Sequence, residues 1–139
     1  MFLITDHARE RYVERFSRES NHFTHLHNCK MINCVSCRDL TYDLCELVNK
    51  DKKNWDSIIY EKILEAKEVK IFHNNAVFMD IMYSKYGYKR FNFLVNKFIL
   101  FVVRDDKVVV TCMDANNPIN GSMVIANFLK RPKYNKVTA

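Results

Sequence analysis

The apolar positions near the start of the chain recur at the spacing of a helix. Ala8, Tyr12 and Phe16 are each four residues apart, so an α-helix would place them on one side. Residues 5–18 contain neither Gly nor Pro, and the Thr-Asp pair that opens them is a typical helix cap. The pattern therefore predicts an amphipathic helix over residues 5–18 that packs its apolar side on a core.

The next part of the chain has weaker patterns. Residues 19–54 show no sustained period, and we interpret them as an insertion that contains one short helix carrying Leu40 and Leu44. The polar residues 49–54 predict a loop. Residues 55–67 return to helical spacing, which predicts a second long helix packed on a sheet.

After residue 68 the chain consists of short runs rich in β-branched and aromatic residues, separated by Asn, Asp and Gly. Such runs predict strands joined by tight turns. The predicted strands span residues 69–73, 76–83, 88–95, 97–103 and 107–113. Connections this short cannot form parallel crossovers, so the predicted sheet is an antiparallel meander.

The order of these elements predicts an α+β fold. N-terminal helices would pack on a four- to five-stranded antiparallel meander, and residues 122–129 would form a short C-terminal helix. A chain of 139 residues with 48% hydrophobic residues has the size and composition of one globular unit. We therefore predict a single domain over residues 1–139, with the insertion at 19–54.

The charge of the chain changes the expected partner. Lys and Arg number 22 against 16 Asp and Glu, which gives a net charge of +6 and favours RNA or an acidic protein surface as partner. Two Gly residues are too few for a phosphate-binding loop or a dinucleotide fingerprint. No apolar run approaches the about 18 residues that span a bilayer, so we expect no membrane partner and a cytoplasmic location with reduced thiols.

A second line of residues lies beside the apolar side of the first predicted helix. His7, Arg11, Arg15 and Arg18 recur at nearly the same spacing. An imidazole can take up and release a proton near neutral pH. One guanidinium group can donate hydrogen bonds to two oxygens of the same phosphate. This combination suits RNA cleavage by internal attack of a 2′-hydroxyl, a reaction that requires no metal. The alternative is a solvent-exposed face on which the Arg residues form salt bridges with neighbouring Glu residues.

Residues 7–15 read His-Ala-Arg-Glu-Arg-Tyr-Val-Glu-Arg. This motif resembles the His-Ala-x-x-Arg-x-x-x-Arg opening of toxin-type domains related to RelE and BrnT, within the wider barnase/EndoU/colicin/RelE ribonuclease fold. The resemblance implies a metal-independent endoribonuclease whose second helix spans residues 57–67 and whose paired strands span 93–113. It adds Thr111, near the end of the last strand, to the candidate catalytic residues, which are His7, Arg11, Arg15 and Thr111.

Further basic and aromatic residues are candidates for contacts with RNA. The RNA-binding candidates are Arg18, Lys89, Arg90 and Arg104 for phosphates, and Tyr86 and Tyr88 for stacking on bases. The same residues would also fit the rim of a sheet without any ligand. The sequence alone leaves both interpretations open.

The predicted insertion also contains potential metal ligands. Its His and Cys residues are His22, His25, His27, Cys29, Cys34, Cys37 and Cys45. Cys34-x-x-Cys37 has the spacing of one half of a tetrahedral Zn²⁺ site, and His25, His27 or Cys29 could supply the rest. Because the spacing matches no standard zinc knuckle, packed thiols and loop histidines are the alternative. We therefore predict no cofactor, with Zn²⁺ at Cys34 and Cys37 as the weaker alternative.

Two functions are compatible with these observations. The first is a small basic RNA-binding protein that acts as a metal-independent endoribonuclease of RelE-like toxin type. The second is a non-enzymatic inhibitor or adaptor, encoded by a virus or mobile element, that binds an acidic or ribosome-associated protein of the host. The Asn- and Lys-rich composition fits either origin.

Overall fold

The computed structural model describes residues 2–115 of the protein. The elements are β1 (Leu3–Ile4), α1 (Asp6–Phe16), a 3₁₀ turn (Ser20–Phe23), α2 (Thr24–Asn28), α3 (Val35–Lys50), α4 (Lys52–Leu64), β2 (Lys67–Val69), a 3₁₀ turn (Ile71–Asn74), α5 (Ala76–Tyr86), β3 (Phe91–Asn96), β4 (Ile99–Arg104) and β5 (Val108–Asp114). The predicted C-terminal helix at 122–129 lies outside the described residues. None of the described helices is both long enough and apolar enough to cross a membrane.

The α+β class is confirmed, and the sheet has the strand order β1-β5-β4-β3-β2. The pairs β2–β3, β3–β4 and β4–β5 are antiparallel, as predicted. The prediction of a purely antiparallel meander was wrong at one edge, where β1 pairs parallel with β5 through Leu3–Val108 and Ile4–Val109. A strand of two residues has no alternation of side chains, so the sequence pattern could not reveal it.

The predicted strand at 76–83 is instead part of helix α5. The side chain of Asn75 caps this helix by accepting a hydrogen bond from the backbone N–H of Phe78 at 3.0 Å. Phe78 and Met82 are buried and four residues apart, which is the spacing of a helix side. The helix ends at Gly87, whose φ of +86° favours glycine. The aromatic and β-branched content suggested a strand, but the cap and the spacing favour the helix.

Two other boundaries also differ from the prediction. The predicted strand at 69–73 is mostly a 3₁₀ turn, because β2 ends at Val69. The predicted loop at 49–54 is almost entirely helical, since only Asp51 separates α3 from α4. The short helix around Leu40 is confirmed and extends over sixteen residues as α3.

Helices cover both faces of the sheet. One core joins α1, α3 and α4 to one face, with Val13, Ile59 and Phe101 among its fully buried residues. A second core joins α5 to the other face around Phe93 and Val102. Strand β4 is buried from Ile99 to Val103 because it contributes side chains to both cores.

Helix α1 is fixed to strand β5 at its first turn. The hydroxyl of Thr5 accepts a hydrogen bond from the backbone N–H of Ala8 at 3.1 Å, which confirms the predicted cap. The same hydroxyl donates to the carbonyl of Val110 in β5 at 3.3 Å. Because β1 pairs only with residues 108–109, side chains from both helical layers can reach the rest of this edge of β5.

Candidate functional site

Basic side chains from both helical layers meet beside the outer edge of β5. We call this group the basic crevice. Its residues are His7, Arg11 and Arg15 of α1, Lys85 and Tyr86 of α5, and Thr111 of β5. The structure thus brings together all four predicted catalytic residues and one predicted RNA-binding residue.

Arg15 is held against the edge of the sheet. Its Nη1 donates a hydrogen bond to the backbone carbonyl of Cys112 at 3.2 Å. Burial lowers the pKa of Arg15, although a guanidinium stays charged at any physiological pH. The guanidinium therefore places a positive charge beside β5.

Arg11 is positioned by a buried carboxylate on its own helix. Its Nη1 lies 2.7 Å from Oε1 of Glu14, a residue that is only 2% exposed. The Nε of Arg11 is buried and makes no hydrogen bond within residues 2–115. The ion pair fixes the guanidinium in place but does not satisfy all of its donors.

His7 lies in the first turn of α1, beside three cationic side chains. Its surface is accessible to solvent, yet much of its surroundings is protein, as expected in a crevice. Desolvation, followed by the charges of Arg11, Lys85 and Arg15, lowers the pKa of His7 to about 4. The imidazole is therefore neutral near pH 7 and can accept a proton.

The α5 side of the crevice holds Lys85 and Tyr86. Burial, together with the charges of Arg15 and Arg11, lowers the pKa of Lys85. Burial raises the pKa of Tyr86, whose hydroxyl shares a hydrogen bond with Thr111. Thr111 is 4% exposed, so its place is beneath Tyr86 rather than at the surface of the crevice.

Lys85 was not among the residues predicted to bind or cleave RNA. It could have been found only by assigning residues 76–86 to a helix, because a strand ending near 83 leaves Lys85 in a turn. The signals for that helix were the Asn75 cap and the four-residue spacing of buried positions.

The other predicted RNA-binding residues have local partners. Arg90 lies 3.4 Å from Asp106, and Arg104 lies 3.9 Å from Asp105, both in the turn between β4 and β5. Tyr88 is 89% exposed and stacks on Tyr83 with ring centroids 4.9 Å apart. Lys89 is exposed. These residues form an outer rim with partly compensated charge.

Arg18 does not continue the line of the other α1 residues. Helix α1 ends at Phe16, and Ser17 has an extended backbone with its hydroxyl bonded to the carbonyl of Val13 at 2.7 Å. Arg18 is exposed and lies 3.5 Å from Glu19. The predicted helix end at residue 18 was two residues too late.

A second cluster lies between α2 and α3. The ligand atoms of His25, Cys29, Cys34 and Cys37 all lie within 4.8 Å of one another, so this group could hold a metal ion. His25 lies in α2 and Cys29 directly follows it, while Cys34 and Cys37 lie at the start of α3. A turn at Asn33, with φ of 58°, brings the two pairs together.

The four side chains also interact without an ion. Nε2 of His25 lies 3.3 Å from Sγ of Cys34, and this hydrogen bond lowers the pKa of Cys34 to about 6. Desolvation and the neighbouring sulfurs of Cys29 and Cys34 raise the pKa of Cys37 to about 12. One thiolate flanked by a protonated thiol is the ordinary result when sulfurs are brought this close.

His22 and Cys45 have other surroundings. His22 lies 3.7 Å from Asp43 of α3 and packs its ring on Phe23. Cys45 is a half-buried free thiol in the middle of α3. Among the described side chains, His25 and Cys29 are thus the predicted candidates that lie close enough to complete the half-site at Cys34 and Cys37.

Two open grooves lie elsewhere on the surface. One, of about 700 Å³, runs along α3 and is lined by residues such as Tyr42 and Glu46. The other, of about 380 Å³, lies beside the ion pair of Arg9 with Asp56. Neither groove includes a residue of the basic crevice or of the His/Cys cluster.

Comparison of the chain with protein families, curated proteins and solved structures gave no match. The resemblance to RelE- and BrnT-type toxins thus stays a prediction that rests on the motif at residues 7–15.

Proposed function

We propose that the protein binds RNA in the basic crevice and cleaves it by internal attack of a 2′-hydroxyl. The observation that carries this proposal is the gathering of His7, Arg11, Arg15 and Lys85 around one edge of the sheet. Like charges placed together raise the energy of the free protein and lower one another's affinity for protons. A phosphodiester group would offset this repulsion.

The four basic residues of the crevice each have a role in the proposed reaction. Neutral His7 takes the proton of the 2′-hydroxyl, whose oxygen then attacks the adjacent phosphorus. Arg11 and Arg15 bind the non-bridging oxygens and stabilise the charge of the phosphorane. Lys85, with its lowered pKa, donates a proton to the departing 5′-oxygen. The products are a 2′,3′-cyclic phosphate and a free 5′-hydroxyl.

The rest of the proposal follows from the chemistry of this reaction. Internal attack requires no metal, so no cofactor takes part in it. RNA is the partner because DNA lacks the attacking hydroxyl. The proposal includes a cytoplasmic location, where RNA is present and thiols remain reduced.

The test uses an RNA oligonucleotide and the same oligonucleotide with one 2′-deoxy substitution at the cut. We expect cleavage of the first, with a 2′,3′-cyclic phosphate on the product, and none at the substituted position. His7→Gln is expected to reduce the rate at least about 100-fold, the lower end of what a general base contributes. His22→Gln, on an exposed turn, is the matched control and retains the activity.

An equal rate on the deoxy-substituted RNA would contradict internal attack. Binding without any cleavage would instead support the second candidate, a non-enzymatic inhibitor or adaptor. That candidate is favoured by the exposed apolar side chains Met31, Ile32 and Val35, which suit contact with a protein. It predicts that affinity purification recovers one dominant acidic or ribosome-associated protein after nuclease treatment.

For the His/Cys cluster we propose that the ion is Zn²⁺. Three thiols and one imidazole are a donor set that zinc uses in structural sites, whereas Mg²⁺ and Ca²⁺ require oxygen ligands. Protein purified without chelator should contain about one equivalent of zinc by elemental analysis. Less than about a tenth of an equivalent would contradict the assignment.

A further inference from the structure

The segment that carries the His/Cys cluster lacks an apolar core of its own. No described side chain between residues 24 and 43 is buried. Leu26 and Leu40 only touch the edge of the main core, while Met31 and Ile32 are 74% and 77% exposed. Burial of apolar surface is the main source of folding free energy, so this segment lacks the usual reason to be ordered.

The local structure of the segment is also weak by itself. Helix α2 has five residues and no side-chain cap, and the cap position of α3 at Cys34 makes no side-chain hydrogen bond to the helix. A helix of five residues, such as α2, is not stable alone in water. Asn33, between α2 and α3, has a positive φ, which Asn tolerates better than most non-glycine residues do. The helix propensity of these residues alone therefore does not account for the order of the segment.

The four ligands have the geometry to provide that stabilisation. Around a tetrahedral Zn²⁺ with Zn–S bonds of about 2.3 Å, sulfur atoms lie about 3.8 Å apart. The ligand atoms here are within 4.8 Å of one another, so shifts of about 1 Å suffice to close the site. Protein groups fill all four positions, which leaves none for a substrate and indicates a structural role.

We propose that Zn²⁺ bound by His25, Cys29, Cys34 and Cys37 is what folds residues 24–37. This inference rests on the zinc assignment proposed above, and it adds that the metal-dependent folding is local. Phe23 before the segment is fully buried in the main core, and Leu44 after it is 1% exposed. Both ends are thus anchored independently of the metal. Loss of zinc is expected to unfold the segment and to leave the sheet and the basic crevice intact.

The test is hydrogen exchange of the full chain, followed by mass spectrometry, before and after zinc is removed under reducing conditions. We expect peptides covering residues 24–37 to lose at least about 100-fold of their protection on chelation. Peptides covering 91–114 should keep theirs. Readdition of Zn²⁺ should restore the protection, because binding and folding of such segments are coupled.

Variants separate the ligand role from a general loss of stability. Cys37→Ser should lose both zinc and the local protection, whereas Cys45→Ser, on the same helix but outside the cluster, should keep both. His25→Ala should behave as Cys37→Ser does, while His25→Cys, which restores four ligands, should retain the metal.

The outcomes distinguish the two proposals. One equivalent of zinc whose removal leaves exchange at 24–37 unchanged would overturn the structural role but not the zinc assignment. Loss of protection in 91–114 as well would overturn the claim that the effect is local. Absence of zinc from the purified protein would overturn the assignment itself and, with it, this inference.

Discussion

Two groups of basic residues in this protein have similar composition but different surroundings. In the basic crevice, His7, Arg11, Arg15 and Lys85 come from opposite faces of the sheet, and burial together with the charges of Arg11 and Arg15 lowers the pKa of His7 and of Lys85. On the outer rim, Arg90 and Arg104 lie beside the aspartates of the β4–β5 turn. The first group is a concentration of positive charge around one buried carboxylate, that of Glu14, which pairs with Arg11. The second is a set of ion pairs near the surface, in which Arg90 is exposed and Arg104 is half-buried.

The difference shows that net charge alone does not identify a binding site. Both groups contribute to the same net charge of +6. Exposed ion pairs have little energetic effect, because solvent screens them and their side chains lose entropy when they are held together. Charges gathered beside a sheet edge act more strongly, since protein replaces part of the screening water.

The largest expected effect concerns Arg15, because it would stabilise charge that develops only during the reaction. Arg15→Ala is expected to reduce RNA cleavage by about 100- to 1000-fold, the usual cost of removing such a donor. Arg90→Ala on the outer rim, the matched control, should change the rate less than about threefold. Single-turnover rates on one RNA check both values. Equal losses of cleavage rate in Arg15→Ala and Arg90→Ala would show that the basic crevice and the outer rim do not differ in their contribution to cleavage.

The next effect concerns the salt dependence of RNA binding. Each phosphate contact releases condensed counterions, so Arg11→Ala and Arg15→Ala should each lower the slope of log K against log salt by about one unit. Arg90→Ala should lower it by less than about half a unit, because Asp106 already compensates much of its charge. Filter binding over a series of salt concentrations measures these slopes. A slope near zero for the wild type would eliminate RNA as the partner.

A smaller effect is expected in the titration of His7. Since its pKa is lowered to about 4, the imidazole should stay neutral and active as a base from pH 7 down to about pH 4. The acid limb of the pH–rate profile should then lie near 4 rather than near 6.5. Lys85→Ala removes one of the positive charges beside His7 and should raise the pKa of His7. NMR titration of the imidazole protons measures the pKa of His7. A wild-type value near 6.5 would contradict the lowering of this pKa by the surroundings of His7.

The smallest effect concerns stability at the rim. Arg90→Ala and Arg104→Ala should each change the free energy of unfolding by less than about 0.5 kcal/mol, as expected for exposed ion pairs. Urea denaturation followed by circular dichroism is the measurement. A loss above about 1.5 kcal/mol would show that these pairs are structural, and the contrast with the crevice would then need another explanation.

Local signals in the sequence predicted part of this architecture well. The cap at Thr5, the apolar spacing of α1 and the turn at Asp105 and Asp106 depend on neighbouring residues, and the structure confirms them. Both aspartates have positive φ, which Asp tolerates better than most residues do. Strands β3, β4 and β5 lie within a few residues of their predicted positions for the same reason.

The rest depended on contacts between distant parts of the chain. Strand β1 forms only because Leu3 and Ile4 pair with β5, which is about a hundred residues away in the sequence. Lys85 joins the site only because α5 packs on the face of the sheet opposite α1. In the His/Cys cluster, the Cys34-x-x-Cys37 spacing was a local signal, but the choice of His25 and Cys29 required the turn at Asn33.

The bond from Arg15 to the carbonyl of Cys112 joins residues that are 97 positions apart. A ribosome that adds about 5–20 residues per second takes about 5–20 s to pass from one to the other. During that interval α1 exists without the strand that completes the crevice, and non-local contacts of this kind also form slowly. The nascent chain therefore carries the basic helix but not the assembled site. For a protein that cleaves RNA, this delay would leave its own message intact until synthesis has passed β5.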